Sequence, residues 1–394
     1  MPSDQSSMFN KNFTFYKIFG LWSGNPPWRY YRYYSFAYLS VTFVGFNLLL
    51  TLNLLYIPQK IELFIGEVIF YFTEITIAAK IWTILFMRDK LIVAIKLIDC
   101  DEFVGDYENK DGILYKTNMG YRLGWKMYSI LSNIVYVFDV VVPIFLNLVR
   151  GTRPKLPVSN YYFLSDEQRE SGFLFWFIYW YQGIGIYGHM MYNVSIDSLI
   201  AGLLVIAIAQ LKVLNHNLRN LKLSEEENKL PYEIKDKIQI RRLNKSLIHY
   251  EVILNFCDTV QNMLSVTLFV QFGVSTLIIC VVMCGLVLPS SIEFKAFLVM
   301  FLFTMTLRIF VPGFLGTQLS HESEELVTST YNSEWIPRSE SFKRSLKLLR
   351  ERAAFPIVIT GLQMFPLSLL TFVSVKMMPA THGRSGKQCQ TLTD

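Results

Sequence analysis

The chain has 394 residues, of which 52% are hydrophobic, 15% aromatic and only 17% charged, with a formal net charge of +6. A soluble globular chain carries about 25% charged residues, and here the apolar residues form long runs with most of the charge between them, which excludes a soluble enzyme. The basic surplus is dispersed without a compact basic module, and the five cysteines lack metal-type spacing, so neither nucleic acid, a metal, another cofactor nor a disulfide framework is expected.

Met1 to Tyr33 lacks the short apolar core and small-residue cleavage site of a signal peptide, so the chain is expected to enter the membrane through its first span and keep it. A hydrocarbon core of about 30 Å needs roughly 20 helical residues. Ser35 to Ile57 is the first such run, uncharged and closed by Pro58. Ile61 to Phe86 carries Glu62, Glu67, Glu74 and Lys80 and is expected to turn a polar face into a bundle. Trp125 to Val149 is third, with Lys126 near one end and Asp139 deeper in. After a polar loop from Gly151 to Gly172, Phe173 to Leu214 stays largely apolar for 42 residues. That is about 60 Å if wholly helical, and one projecting helix is expected rather than two spans broken near Gly183 to Gly188. Met263 to Leu288 is a fifth span ended by Pro289, Phe294 to Leu319 a sixth with Arg308 inside, and Ala353 to Val375 a seventh. The connections Arg88 to Gly124 and Asn215 to Asn262 mix charges with spaced apolar residues and read as extensions of membrane helices. Leu211, Leu214, Leu218 and Leu221 carry the fourth helix's apolar stripe into the polar zone.

The fold class expected is all-α: a polytopic seven-transmembrane helical bundle. With the N-terminus cytoplasmic and the C-terminus extracellular, inner segments hold 24 Lys and Arg and outer segments nine, as the positive-inside rule requires. On that topology the sequons at Asn12, Asn193 and Asn244 face the cytosol or lie within a span, so none should carry a glycan.

The C-terminal third contains Glu325-Leu-Val-Thr-Ser-Thr-Tyr-Asn-Ser-Glu-Trp335, Phe342-Lys-Arg-Ser-Leu346, Arg352-Ala-Ala-Phe-Pro356, Ile359-Thr-Gly361 and Phe365-Pro-Leu-Ser-Leu-Leu-Thr-Phe372. Asp197-Ser-Leu199, Gln210-Leu-Lys-Val-Leu214 and the opening Phe15-Tyr-Lys-Ile-Phe-Gly-Leu-Trp22 lie upstream. In order and spacing these resemble the insect odorant receptor family over nearly the whole chain. The resemblance implies a seven-pass protein with an inside N-terminus that acts as an odorant-gated cation channel together with a common coreceptor. It implies a cytoplasmic segment 1–34, six helices over 35–319 forming the odorant-binding bundle, a cytoplasmic subunit-association segment 320–352 and a pore-lining seventh helix 353–376. The tail 377–394 departs from the family: Met377-Met-Pro379 and the glycines Gly383 and Gly386 stand where a helix end is expected, which leaves conduction by this chain open.

Thr360, Met364, Ser368, Thr371 and Val375 repeat at spacings of four, four, three and four on an expected helix face. The family places the ion path there. From the residues alone, packing of a helix interface is the competing reading. A ligand site is sought in the outer halves of the other spans, at Tyr71, Phe72, Tyr136, Phe138, Phe177, Tyr181, Ile184, Phe297 and Phe301. Aromatics there would enclose a small volatile with a tyrosine hydroxyl for one directional bond, or belong to a lipid-facing belt with Trp176 and Trp180. Glu74, Lys80, Asp139, Asp197 and Arg308 are expected to pair between helices. His189 lacks a metal-binding partner at i+3 or i+4. Tyr331, Trp335 and the Leu211 to Leu221 stripe are assigned to subunit association, against the alternative of packing within the chain.

The function implied is a non-enzymatic odorant receptor subunit that gates a nonselective cation channel. Its expected partners are a small volatile organic ligand, a coreceptor in a heterotetramer, membrane lipids and conducted cations. Its expected place is the plasma membrane of olfactory sensory neuron dendrites. Three alternatives stay open: a metabotropic seven-pass chemoreceptor, which needs an extracellular N-terminus; a gustatory-type channel, whose T-Y-x-x-x-x-Q-F pattern Thr371 to Met377 does not match; and a nonconducting C-terminal variant.

Overall fold

The computed structural model describes residues 5–371 apart from 25–28, 59, 104–111, 152–155, 166, 168–171, 222 and 334. A 3₁₀ turn at Gln5–Phe9 leads into α1 (Asn10–Ile18). Then follow α2 (Tyr31–Leu54), α3 (Ile61–Phe86), α4 (Arg88–Ile98), α5 (Ile113–Asn147), α6 (Gly172–Arg219), α7 (Tyr232–Val287), α8 (Ile292–Tyr331) and α9 (Glu340–Ala353). Among the described residues six helices are long and apolar enough to cross a membrane: α2, α3, α5, α6, α7 and α8.

The 42-residue apolar run is one unbroken helix of 48 residues. It is apolar on all sides, which is stable only at the centre of a bundle, and α1, α3, α5, α7 and α8 pack around it. Its most apolar stretch is 83% buried, whereas that of α5 is only 6% buried and turns its apolar side chains outward. Close approach to α6 is permitted by missing side chains. A Cβ on Gly185 would lie 2.6 Å from the Phe46 ring, and one on Gly202 would lie 2.5 Å from Phe9 and 2.7 Å from Tyr121.

Two membrane helices contain π-helical segments, Ser40–Gly45 in α2 and Val137–Val141 in α5. A π segment takes carbonyls out of the regular i→i+4 ladder. Side chains of α6 meet two of them: Tyr181 Oη donates to the Val41 carbonyl at 2.9 Å and Tyr179 Oη to the Val140 carbonyl at 2.6 Å.

The turn between α2 and α3 and the turn between α7 and α8 lie at one end of the bundle, here the loop end. At the opposite, stalk end, α6, α7 and α8 run on together and α9 packs on α7 and α8 through Phe342, Leu346, Leu349 and Ala353. Asn215 Nδ2 donates to the Glu322 carbonyl at 2.9 Å, and Arg219 meets Glu325 at 2.5 Å and Ser329 Oγ at 3.0 Å. Leu211, Leu214, Leu218 and Leu221 are all buried within this chain. The expectation that the stripe meets neighbouring subunits is corrected: the stalk helices of the same chain cover it.

The stretch from Ala353 does not form one helix over the described residues. After α9 the chain runs to a hairpin in which β1 (Thr360–Gly361) pairs antiparallel with β2 (Phe365–Pro366). Leu362 and Gln363 take left-handed φ values of 47° and 58° in its turn. Pro356 and Pro366 lack the amide proton that helix continuation needs, and Gly361 favours a turn. Gln261 of α7 supplies the partners a neighbouring strand would: its Nε2 donates to the Thr360 carbonyl and hydroxyl at 2.9 Å each, and its Oε1 accepts from Thr360 N at 2.7 Å. Gly316 of α8 gives the hairpin room, since a Cβ there would lie 2.1 Å from the Leu367 carbonyl oxygen. Helix resumes at Leu369, capped by Ser368 Oγ, which accepts from Thr371 N at 3.2 Å.

Candidate functional site

Between Gly185 and Ile200, α6 is buried except at Ile186, Tyr187, Met190, Asn193 and Asp197, which keep partial access. From Tyr187 the spacings are three, three and four, so these positions share one helix face. Toward the loop end, the Tyr187 ring stands edge-on to Tyr136 of α5 at 5.0 Å, and Tyr136 Oη donates to the Gly183 carbonyl at 3.2 Å. This face runs about 9 Å along the helix from Tyr187 to Asn193.

The end of this face at Asn193 and Asp197 is polar and joins four helices. Lys80 of α3, its side chain fully buried, pairs with Asp197 and donates to Asn193 Oδ1 at 3.1 Å. Arg308 of α8 donates from Nη2 to the same Asn193 oxygen, and its Nε stands 3.6 Å from Asp197 Oδ2. Tyr128 of α5 donates to Asp197 Oδ2 at 3.4 Å.

Two turns toward the loop end on α3, Glu74 Oε2 lies 2.7 Å from His189 Nδ1. His189 Nε2 lies 3.0 Å from the Thr42 carbonyl, which only accepts, so Nε2 carries a proton. Phe43 and Phe46 flank the imidazole at 5.8 and 4.7 Å. Among the described residues no three His, Cys, Asp or Glu side chains group to hold a metal.

The expected ligand residues do not converge on one enclosure. Tyr136 lies against Tyr187. Phe297 and Phe301 instead pack against Phe70 of α3 at 6.2 and 6.5 Å. Tyr181 packs against Phe46 at 6.3 Å and belongs to the contact with α2. Tyr71 and Phe72 are half-buried, Phe72 against the core. Phe138, Phe177 and Ile184 are exposed on the outside of the bundle, as are Trp176 and Trp180. Asp139 lies in the π segment of α5 and forms no ion pair among the described residues.

Thr360 stands in β1, Met364 in the turn, Ser368 at the helix cap and Thr371 in the first helical turn. Thr360 and Met364 therefore share no helix face with Ser368, and Val375 lies outside the described residues. Tyr331 is 68% exposed at the end of α8, while Trp335 is half-buried against the core. Tyr128, Tyr187, Met190 and Asn193 were not among the expected site residues. A signal for Asn193 was available: His189, Asn193 and Asp197 place polar groups at i, i+4 and i+8 of an apolar helix.

The model of the family described as 7tm Odorant receptor matches residues 60–378. Among curated proteins the chain is similar to Odorant receptor 67c of Drosophila melanogaster, 27% identical over 219 residues covering 53% of each chain. It is also similar to Odorant receptor 42a of the same species, 24% identical over 265 residues, 66% of this chain and 63% of that one. The chain thus spans about half to under two thirds of the length of these relatives. Among solved structures it resembles the insect olfactory receptor OR5 from Machilis hrabei in complex with eugenol. The TM-score is 0.76 at 14% identity, over 98% of this chain and 99% of that one. The same receptor without that description of a complex gives 0.77 at 15% identity, over 96% of both.

Proposed function

The chain belongs to the seven-transmembrane odorant receptor family, and from that premise we propose that it is an odorant-tuned subunit of a ligand-gated, nonselective cation channel working with a coreceptor. The observation that carries this reading is the family match, which runs from the start of α3 through the hairpin and past Lys376. Family membership also supports a receptor rather than an enzyme.

In this reading a small volatile binds along the partly accessible face of α6, with Tyr136 and Tyr187 against its apolar part and the polar cluster at Asn193 and Asp197 beneath it. An aromatic enclosure of this kind binds small ligands mainly by burial, with few directional bonds. The outer residues Phe138, Phe177 and Ile184 contact lipid rather than ligand. Tyr71, Phe72, Tyr181, Phe297 and Phe301 support that site from the second, fourth and sixth spans. Ser368, Thr371 and Val375 line the pore, with Thr360 and Met364 in the hairpin beside them. Tyr331 lies on the stalk surface that meets other subunits of a heterotetramer, and Trp335 buttresses it. The N-terminus is cytoplasmic, the stalk with it, and the complex sits in the plasma membrane of olfactory neuron dendrites.

Recording from cells that express the chain with and without a coreceptor, under a broad panel of volatiles, tests the reading. Odorant-evoked cation current within milliseconds, dependent on the coreceptor, is the expected result. Surface-labelled complexes that stay silent across the panel refute it. The atypical tail favours one second reading, a subunit that assembles without conducting. Current that appears only when Met377 to Asp394 is replaced by a family-type helix end would select it.

A further inference from the structure

The stalk-end half of α5 and the helices beside it carry cations without acids. No aspartate or glutamate occurs between Asp4 and Glu62, or between Asp111 and Asp139. Those two stretches supply α1, α2 and most of α5, and with them Lys11, Arg122 and Lys126, all exposed. Lys11 Nζ stands 4.8 Å over the Trp125 ring, which brings it beside α5. There Arg122 precedes that tryptophan by three residues and Lys126 follows it by one. Phe15 of α1 meets the same ring at 5.7 Å. Among the described residues none of Lys11, Arg122 and Lys126 forms an ion pair. The acids that reach these helices are engaged elsewhere. Asp99 accepts from Ser6 N at 2.9 Å, more than one helical turn before Lys11, and Asp197, which Tyr128 meets, is shared by Lys80 and Arg308.

From this cluster a groove runs along α5 into the apolar zone. It holds about 410 Å³ and is lined by Ser129, Ile130, Asn133, Ile134, Val137 and Phe138. Arg122, Lys126, Ile130, Asn133 and Val137 repeat at spacings of four, four, three and four, so cations and groove share one face. That face turns away from the bundle, since Ile130, Ile134, Val137 and Phe138 are all exposed. Asn133 Nδ2 donates to the Ser129 carbonyl at 2.8 Å, which occupies a polar group of the lining within the helix itself. Ser129 to Phe138 is about 14 Å of helix, and one leaflet of a hydrocarbon core about 30 Å thick is about 15 Å deep. The groove has the length of one acyl layer, and the cations stand at one end of it, where headgroups begin.

We propose that this face is a binding site for an anionic phospholipid. The phosphate and acidic headgroup meet Arg122, Lys126 and Lys11, and one acyl chain lies in the groove from Ser129 to Phe138. Charge complementarity selects the headgroup, because basic residues at a membrane surface attract anionic lipid and a guanidinium takes phosphate oxygens in pairs. A zwitterionic lipid fills the groove equally well but brings no net charge to the cations. A free phosphate meets the cations and leaves the groove empty. The site requires only that the chain spans a bilayer, so it stands whether or not the chain conducts.

Retention of radiolabelled phosphatidylserine against phosphatidylcholine, by the delipidated full chain immobilised in mixed micelles of the two, tests this. The expected result is a preference of about 25-fold or more for phosphatidylserine. One basic residue near an anionic surface carries about a fivefold factor. Arg122→Gln and Lys126→Gln should each lower the preference about fivefold, and together about 25-fold, with an unchanged melting profile because both side chains are exposed. Arg122→Lys should retain most of it. Ile134→Trp, which fills the groove, should reduce retention of both lipids alike, and Lys295→Gln in the first turn of α8 at the loop end should change neither. Equal retention of the two lipids, or a preference that survives in the double variant, would overturn the site. Undiminished retention by Ile134→Trp would overturn the seat of the acyl chain. Competition by water-soluble glycerophosphoserine as strong as by the lipid would replace the lipid with a soluble anion. Recording in parallel keeps the two readings apart. A silent chain that retains the preference counts against the channel alone, and odorant-evoked current from a chain without the preference counts against the lipid site alone.

Discussion

Replacing Gln261 by alanine should release the hairpin from α7. Its carboxamide makes three hydrogen bonds to Thr360 at 2.7 to 2.9 Å, one to each backbone polar group and one to the hydroxyl. A protein hydrogen bond contributes about 0.5–1.5 kcal/mol net. Gln261 is half-buried, so water recovers part of the loss, and about 2–3 kcal/mol of docking free energy should disappear. That corresponds to a fall of about 30- to 150-fold in the ratio of docked to released hairpin. Hydrogen exchange of the purified protein in nanodiscs reads this directly. The Leu367 amide, bonded to the Ile359 carbonyl at 2.7 Å, should lose protection by about that factor, while amides within α9 stay unchanged. Gln261→Glu keeps the acceptor for Thr360 N and loses both donors, so it should fall between the two. Undiminished protection at Leu367 in Gln261→Ala would refute the view that this side chain holds the hairpin.

Other perturbations should behave as follows. Gly316→Ala places a Cβ against the Leu367 carbonyl at 2.1 Å and should reduce the yield of folded surface protein sharply; Gly273→Ala, with nothing within 4 Å, should be neutral or stabilise by up to about 1 kcal/mol. His189→Ala strands the buried Glu74 and should cost about 3–5 kcal/mol in thermal stability; adding Glu74→Gln should recover much of it, and a strictly additive double mutant would contradict the pairing. Asn12 is fully buried, donating to the Ser195 carbonyl and Ser198 Oγ at 2.7 Å each and accepting from Tyr121 at 3.0 Å. Treatment with a glycosidase should therefore leave the protein's gel mobility unchanged, whereas a shift that Asn12→Gln removes would overturn both this packing and the cytoplasmic N-terminus.

Hydropathy and length were enough to mark α3 at Ile61–Phe86 and to foresee α6 as one helix, because burial in lipid or in a bundle core demands long uninterrupted apolar runs. They misled at Ala353 to Val375. A hairpin wedged between two helices needs the same apolar side chains as a span, so composition alone does not separate them. The punctuation at Pro356, Gly361 and Pro366 was the legible sign. In the site, the charged residues were visible individually, but partners such as Glu74 with His189 and Lys80 with Asp197 are more than a hundred residues apart in sequence. Helix rotation decides which of them meet. The same ambiguity put Phe177 and Ile184 in a pocket, since an aromatic stripe facing ligand and one facing lipid have the same periodicity. Whether the Leu211 to Leu221 stripe meets its own chain or another likewise depends on packing that spacing does not encode.

The π segments in α2 and α5 carry a consequence for any residue-by-residue scan of those helices. Each widened turn holds an additional residue, which advances the angular phase of everything beyond it by about 100° relative to a regular helix. Sensitive positions before Ser40 and after Gly45, or on either side of Val137–Val141, should therefore fall into two separate periodic series that no single helical wheel superimposes. Deleting one residue inside either segment should bring the two series into step, at the cost of turning the far half of the helix away from α6.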